Sequence, residues 1–223
     1  MNVRLLPSGE AALLVECGSL DEVLALHDAL AADPRPGLVE LVPAARTILV
    51  AVDPARLPLE SVATWVRRAA ASGGRADAAS GPRRSTTPPA RAGDDEPEPA
   101  IVRVVYDGVD LAETAALLGC STDALVECHT AARWRVAFGG FAPGFGYLVS
   151  DDWAFEVPRL DAPRTRVPAG AVALAGAFAG VYPRESPGGW RLVGRTDADL
   201  WNPDRAEPAL LAPGRRVRFE AVR

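Results

Sequence analysis

Phe138-Gly139-Gly140-Phe141-Ala142-Pro143-Gly144-Phe145-Gly146-Tyr147-Leu148 opens a stretch where rings, arginines, glycines and prolines recur more densely than a packed core requires. Pro163-Arg164-Thr165-Arg166-Val167-Pro168-Ala169-Gly170 follows, then Gly180-Val181-Tyr182-Pro183-Arg184-Glu185-Ser186-Pro187-Gly188-Gly189-Trp190 and Gly194-Arg195-Thr196. Glycine permits positive φ and close backbone approach, while proline fixes φ and removes a donor. These clusters therefore describe tight turns that present rings and guanidinium groups. Phe141, Phe145 and Tyr147 are placed to wall a small pocket, unless the glycines merely permit a hairpin turn. Arg164 and Arg166 alternate on an extended segment and share a face, either as a solvated edge or as a bidentate clamp for carboxylate or phosphate. His129 is either a packing residue beside an apolar stripe or a donor or acid at the mouth of a barrel. Ser186, between Glu185 and Pro187, has no G-x-S-x-G context and no nearby His-Asp pair, so it reads as a turn residue and not a nucleophile.

One absence excludes much. All 24 basic residues are arginine. A Walker A loop needs a phosphate-binding lysine, so this chain holds no P-loop, and it offers no Schiff-base or biotin-bearing lysine. Any anion must be held by arginine, backbone N–H groups or helix N-termini. A net charge of -5 argues against nucleic acid or an anionic membrane as the main partner. Cys17, Cys120 and Cys128 form no CxxC pair, so neither a structural disulfide nor a zinc site is expected. No run reaches the roughly 18 apolar residues of a membrane span, and no signal-like segment opens the chain; the cytoplasm is the default location.

These groups need a scaffold, and the patterning supplies two. Val3–Leu6 and Ala11–Glu16 read as strands around the Pro7-Ser8-Gly9 turn. Ser19-Leu20-Asp21-Glu22 is a capping box before a helix whose Val23, Leu26 and Leu30 share a face. Leu38–Val42 and Thr47–Val52 are strand-like, and Pro58 opens a second helix with Val62, Trp65 and Val66 as its apolar stripe. Residues 1–72 thus predict a small two-layer α/β domain. Residues 73–100, rich in Gly, Pro, Ser, Arg and acid, predict a flexible linker. From 101 to 223, Ile101–Tyr106 is a strand and Asp110 with Glu113 caps a short helix. Ser121 caps another helix, on which Leu125, Cys128, His129 and Ala132 fall on one side. The strands Trp134–Phe138, Val172–Ala175, Trp190–Val193 and Val217–Val222 then favour a compact β-barrel. The fold class expected is α+β.

The same stretches resemble the allophanate hydrolase subunit 1 family, also called the KipI or PxpB family. The resemblance begins at Ser8-Gly9-Glu10-Ala11-Ala12-Leu13-Leu14-Val15-Glu16 and passes through Tyr106-Asp107-Gly108-Val109-Asp110-Leu111 and Val126-Glu127-Cys128-His129-Thr130. It is strongest over Gly140–Leu148, Pro163–Gly170 and Val181–Trp190. It implies an N-terminal α/β domain, a C-terminal cyclophilin-like β-barrel, and a subunit of the ATP-dependent 5-oxoprolinase that converts 5-oxo-L-proline to L-glutamate. The implied partners are a subunit-2 (KipA or PxpC-like) protein and a LamB/YcsF (PxpA-like) protein, with ATP bound by the complex. The family also contains an inhibitor of a histidine kinase, and related domains serve urea carboxylase, so regulatory and carboxyltransferase roles stand as alternatives. On the leading reading His129, Tyr147, Arg164, Arg166, Tyr182 and Arg195 contribute to a substrate site completed by the partner. The chain departs from the family pattern at Gly170-Ala171-Val172 and Phe178-Ala179-Gly180, where relatives usually carry Gly-Ser-Val and Gln-Thr-Gly.

Overall fold

The computed structural model describes residues 1–77 and 98–223, for 73–77 the backbone alone. The chain divides into two compact units, Met1–Ala92 and Gly93–Arg223.

In the first unit, strands β1 (Arg4–Pro7) and β2 (Ala12–Glu16) precede helix α1 (Leu20–Ala32), and β3 (Leu38–Pro43) and β4 (Thr47–Val52) precede helix α2 (Leu59–Asp77). The four strands form one antiparallel sheet in the order β1-β2-β4-β3. The capping box forms: the Glu22 N–H donates to Ser19 Oγ over 3.2 Å, and the Gly18 N–H donates to the Glu22 carboxylate over 2.7 Å. Strand alternation turns Leu13, Val15, Ile48, Val50 and Val52 to one face, where they bury against Val23, Leu26 and Leu30 of α1 and Val62, Trp65 and Val66 of α2. The linker expected over 73–100 lies mostly outside the described residues; at its start α2 runs on to Asp77, and at its end a strand takes over from Ala100.

The second unit opens with β5 (Ala100–Val105), α3 (Leu111–Leu117) and α4 (Thr122–Ala131). Strands β6 (Trp134–Gly139), β7 (Gly146–Val149), β8 (Arg164–Val167), β9 (Ala171–Ala175), β10 (Phe178–Val181), β11 (Ser186–Gly188), β12 (Arg191–Arg195) and β13 (Arg216–Val222) follow. Seven of the unit's nine strands close into a barrel, β10-β7-β6-β13-β5-β12-β9, leaving β11 and β8 as a separate ribbon. Closure removes the exposed edges an open sheet would carry. Among the described residues no helix is long and apolar enough to cross a membrane.

Strand β9 explains where the site lies. All five of its residues are buried, so both faces are covered. Val172 and Leu174 join a core with Val102, Val136, Leu148, Val193 and Phe219, while Ala171, Ala173 and Ala175 face a second cluster with Phe145, Val167, Tyr182, Trp190 and Leu192. Methyl side chains on that second face leave room for aromatic rings against the strand.

Two expectations for the helices change. Asp110 sits at the N-cap of α3, but its side chain makes no capping bond there. It is drawn away, accepting from the Leu192 N–H at 2.7 Å and from Arg164 Nη2 at 2.6 Å. Leu125 and His129 on α4 and Ala132 at its C-cap are buried as the spacing requires, whereas Cys128 is exposed at the margin of that stripe.

Candidate functional site

The β6–β7 connection is built from its glycines outward. Gly144 takes φ +83, with Leu200 and Trp201 so close that an added Cβ would lie 2.8 Å from Trp201 Cβ. Phe141 has the one positive φ of a non-glycine residue among the described residues, +66. The Ala142 N–H donates to the Gly140 carbonyl over 2.7 Å, closing a γ-turn around it. This conformation carries strain and holds a half-exposed ring over the cavity beneath.

That cavity has a volume of about 480 Å³, within the range of small-molecule sites. Its walls are Phe141, Phe145, Tyr147, Phe178, Tyr182 and Trp190, with Gly188 and Gly189 along one side. The rings hold one another edge to face: Phe145 lies 5.3 Å from Phe141, 5.0 Å from Tyr147, and 5.5 Å from both Tyr182 and Trp190. Gly188 allows Tyr182 to close in, since a Cβ there would fall 2.3 Å from the phenol oxygen. Burial raises the phenol pKa of both Tyr147 and Tyr182, and the positive charge of Arg159 opposes that rise at each. Arg159 also lines the cavity, and among the described residues no aspartate or glutamate does.

Of the site residues expected from sequence, Tyr147 and Tyr182 come together here, alongside Phe141 and Phe145. The others do not line the cavity. Arg164 is bound to the buried Asp110 carboxylate and reaches the Trp190 carbonyl only at 3.5 Å, so it braces the wall behind Trp190. Arg166 pairs with Glu185 at 2.6 Å, and Arg195 with Asp107 at 2.9 Å, both well exposed. His129 is 1% exposed, packed among Trp134, Trp153 and Phe219, with Nδ1 2.6 Å from the Tyr106 hydroxyl. Burial pushes its pKa down to about 3, so the imidazole is neutral and enclosed. Of its two sequence readings the structure places it in the packing one.

Arg159 is the residue that sequence reasoning missed. It stands in an irregular segment between β7 and β8, with no periodicity or motif to flag it. The departures from the family pattern divide: Phe178 enters the cavity wall, whereas Ala171 and Ala179 are buried within strands. Among the described residues no group of three His, Cys, Asp or Glu side chains is placed to hold a metal ion.

Comparison with known proteins gives a consistent set of likenesses. The family model for the carboxyltransferase domain, subdomain C and D, matches residues 3–211. A subunit of the 5-oxoprolinase of Escherichia coli O157:H7 is 46% identical over 129 residues, covering 56% of this chain and 59% of that protein. The corresponding 5-oxoprolinase subunit of Bacillus subtilis (strain 168) is 39% identical over 115 residues, covering 52% and 48%. The matches thus span only about half to three fifths of these curated relatives. Among solved structures, TTHA0988 matches with a TM-score of 0.70 at 34% identity, over 96% of this chain and 40% of that one. The Kluyveromyces lactis urea amidolyase matches with a TM-score of 0.72 at 17% identity, over 99% of this chain and 15% of that one, a likeness of fold alone.

Proposed function

The chain belongs to the family of carboxyltransferase domains, subdomains C and D, and from that premise we propose that it is one subunit of an ATP-dependent 5-oxoprolinase. The complex opens 5-oxo-L-proline to L-glutamate, and this chain supplies part of the substrate site. The observation that carries the reading is the 46% identity with the Escherichia coli 5-oxoprolinase subunit.

The cavity suits that role. A five-membered lactam presents a flat apolar ring with a carbonyl and an N–H at its edge. Edge-to-face rings accept such a body, and neutral Tyr147 and Tyr182 hydroxyls can donate to the lactam oxygen where negative charge develops. The raised phenol pKa values keep those donors protonated at neutral pH. The described residues do not fit ATP: the cavity offers one guanidinium against a polyphosphate, and no lysine exists to complete a phosphate loop. We propose that the complex, and not this cavity, holds the nucleotide.

TTHA0988 carries a counterpart of this chain in only 40% of its length, joined to a larger remainder. We propose that this chain works with a subunit-2 (KipA or PxpC-like) partner and a LamB/YcsF-type third component. Co-expression of all three, followed by a glutamate assay with 5-oxo-L-proline and ATP, tests the reading. Glutamate is expected only when the three chains and ATP are present. A stable, associated complex that releases none would refute it. Biotin-dependent carboxyl transfer, or kinase inhibition without turnover, would identify the carboxyltransferase or regulatory alternative.

A further inference from the structure

We propose that Arg159 is the anion-recognising residue of the aromatic cavity, taking the carboxylate of a small cyclic amide whose ring lies against Phe145, Tyr147 and Tyr182. The proposal rests on the oxoprolinase reading of this cavity and adds to it the group that makes an acid, and not merely a lactam, the preferred ligand.

Arg159 is the one charged residue of the lining, and the lining contains no carboxylate to neutralise it. Among the described residues it forms no ion pair, while Arg164, Arg166, Arg191 and Arg195 on the strands that follow are each committed to a carboxylate. Even Glu156, whose carboxylate approaches Gly176 at the cavity's edge, is not paired with it.

Its backbone is also held from both sides, although the segment has no regular structure. Val157 and Gly176 exchange two hydrogen bonds, of 2.9 and 2.6 Å. The Pro158 carbonyl accepts from Nε of the buried Arg191 at 2.8 Å, and the Leu160 N–H donates to the Gly189 carbonyl at 2.9 Å. The backbone that carries this exposed arginine is thus fixed before any ligand arrives, which lowers the part of the ordering cost that belongs to the main chain.

The guanidinium then lies over bare main chain. Its Nη2 is 3.7 Å from where a Cβ of Gly189 would stand, an ordinary van der Waals separation, so the guanidinium lies beside that glycine main chain. Its positive charge also opposes the rise in phenol pKa at both Tyr147 and Tyr182. A carboxylate arriving there would meet a planar fork of donors against an apolar wall, where a charge-assisted bond is stronger than in open water.

The test uses the three-chain complex and the full-length chain, each as wild type, Arg159→Gln and Arg159→Lys. In the complex, Arg159→Gln is expected to raise the KM for 5-oxo-L-proline roughly 10- to 100-fold with little change in kcat, as for a contact equal in ground and transition states. Arg159→Lys should recover part of that loss, since it keeps the charge without the fork. The full-length chain is titrated separately with pyrrole-2-carboxylate and the neutral pyrrole-2-carboxamide, read by tryptophan fluorescence. Wild type should prefer the acid, and Arg159→Gln should lose that preference while binding the amide unchanged. An unaltered KM in Arg159→Gln, or a wild-type chain that fails to prefer the acid, overturns the proposal. A wild-type complex that makes no glutamate overturns the oxoprolinase reading instead, and the probe titration then decides the role of Arg159 by itself.

Discussion

Acidification from pH 7 to 5 is expected to weaken the barrel unit through His129. Its ring lies 4.4 Å from Phe219 and 5.2 Å from Trp134, its Nδ1 faces the Tyr106 hydroxyl, and its Nε2 has no hydrogen-bond partner among the described residues. A proton there would create an enclosed charge with nothing to balance it, which is why the folded pKa falls from 6.5 to about 3. The unfolded chain binds that proton freely. Stability is therefore full above about pH 6.5 and is lost as the pH falls toward the folded value. At pH 5 the unfolded imidazole is almost wholly protonated and the folded one almost wholly neutral, a difference of about 2 kcal/mol relative to pH 7. The figure depends on the unfolded pKa and hardly on the folded one, provided the latter stays below about 4. Urea unfolding followed by tryptophan fluorescence at both pH values, for wild type and His129→Gln, isolates the effect because the carboxylates titrate alike in both proteins. Wild type should lose about 2 kcal/mol more than the variant. Equal losses would mean that His129 accepts a proton in the folded state, and would return it to the candidate donors of the site.

Asp110→Ala strands the buried Leu192 N–H and frees Arg164, and should cost about 2–4 kcal/mol in urea unfolding. Asp110→Asn, which still offers an acceptor, should cost about half as much. Gly188→Ala places a Cβ 2.3 Å from the Tyr182 oxygen, so it should cost about 1–3 kcal/mol and weaken ligand binding as the ring is displaced. At Phe141, φ +66 reverses the usual order of small residues. Phe141→Gly should be more stable than Phe141→Ala by about 1 kcal/mol in thermal unfolding, while both lose the ring over the cavity.

The regular elements were legible because each rests on a local pattern. Val23, Leu26 and Leu30 recur at helical spacing behind a capping box, and all three are buried. Val217 and Phe219 alternate with Arg216 and Arg218 on β13, and the first pair is buried while the second is exposed. The strands missed were β7 and β11, four and three residues long and set among glycines, too short for alternation to register. The parallel pairing of β13 with β5 joins chain segments more than a hundred residues apart, and nothing local to either strand announces it.

The site divided along the same line. Rings are recognisable as a wall because glycine-spaced aromatics imply both the turn and what it displays, and Phe141, Phe145 and Tyr147 do line the cavity. For arginines, residue type and spacing say little, because what makes a guanidinium available is the absence of a carboxylate beside it. Arg164 looked available on its strand, yet Asp110, 54 residues earlier, takes it. Arg166 and Arg195 are likewise met by Glu185 and Asp107, 19 and 88 residues away. Arg159, which has no such partner among the described residues, sits where no pattern points. In a chain whose basic side chains are all arginine apart from two histidines, the folded arrangement of acids thus decides which of Arg159, Arg164, Arg166 and Arg195 is left without a carboxylate, and that selection is a long-range property of the fold.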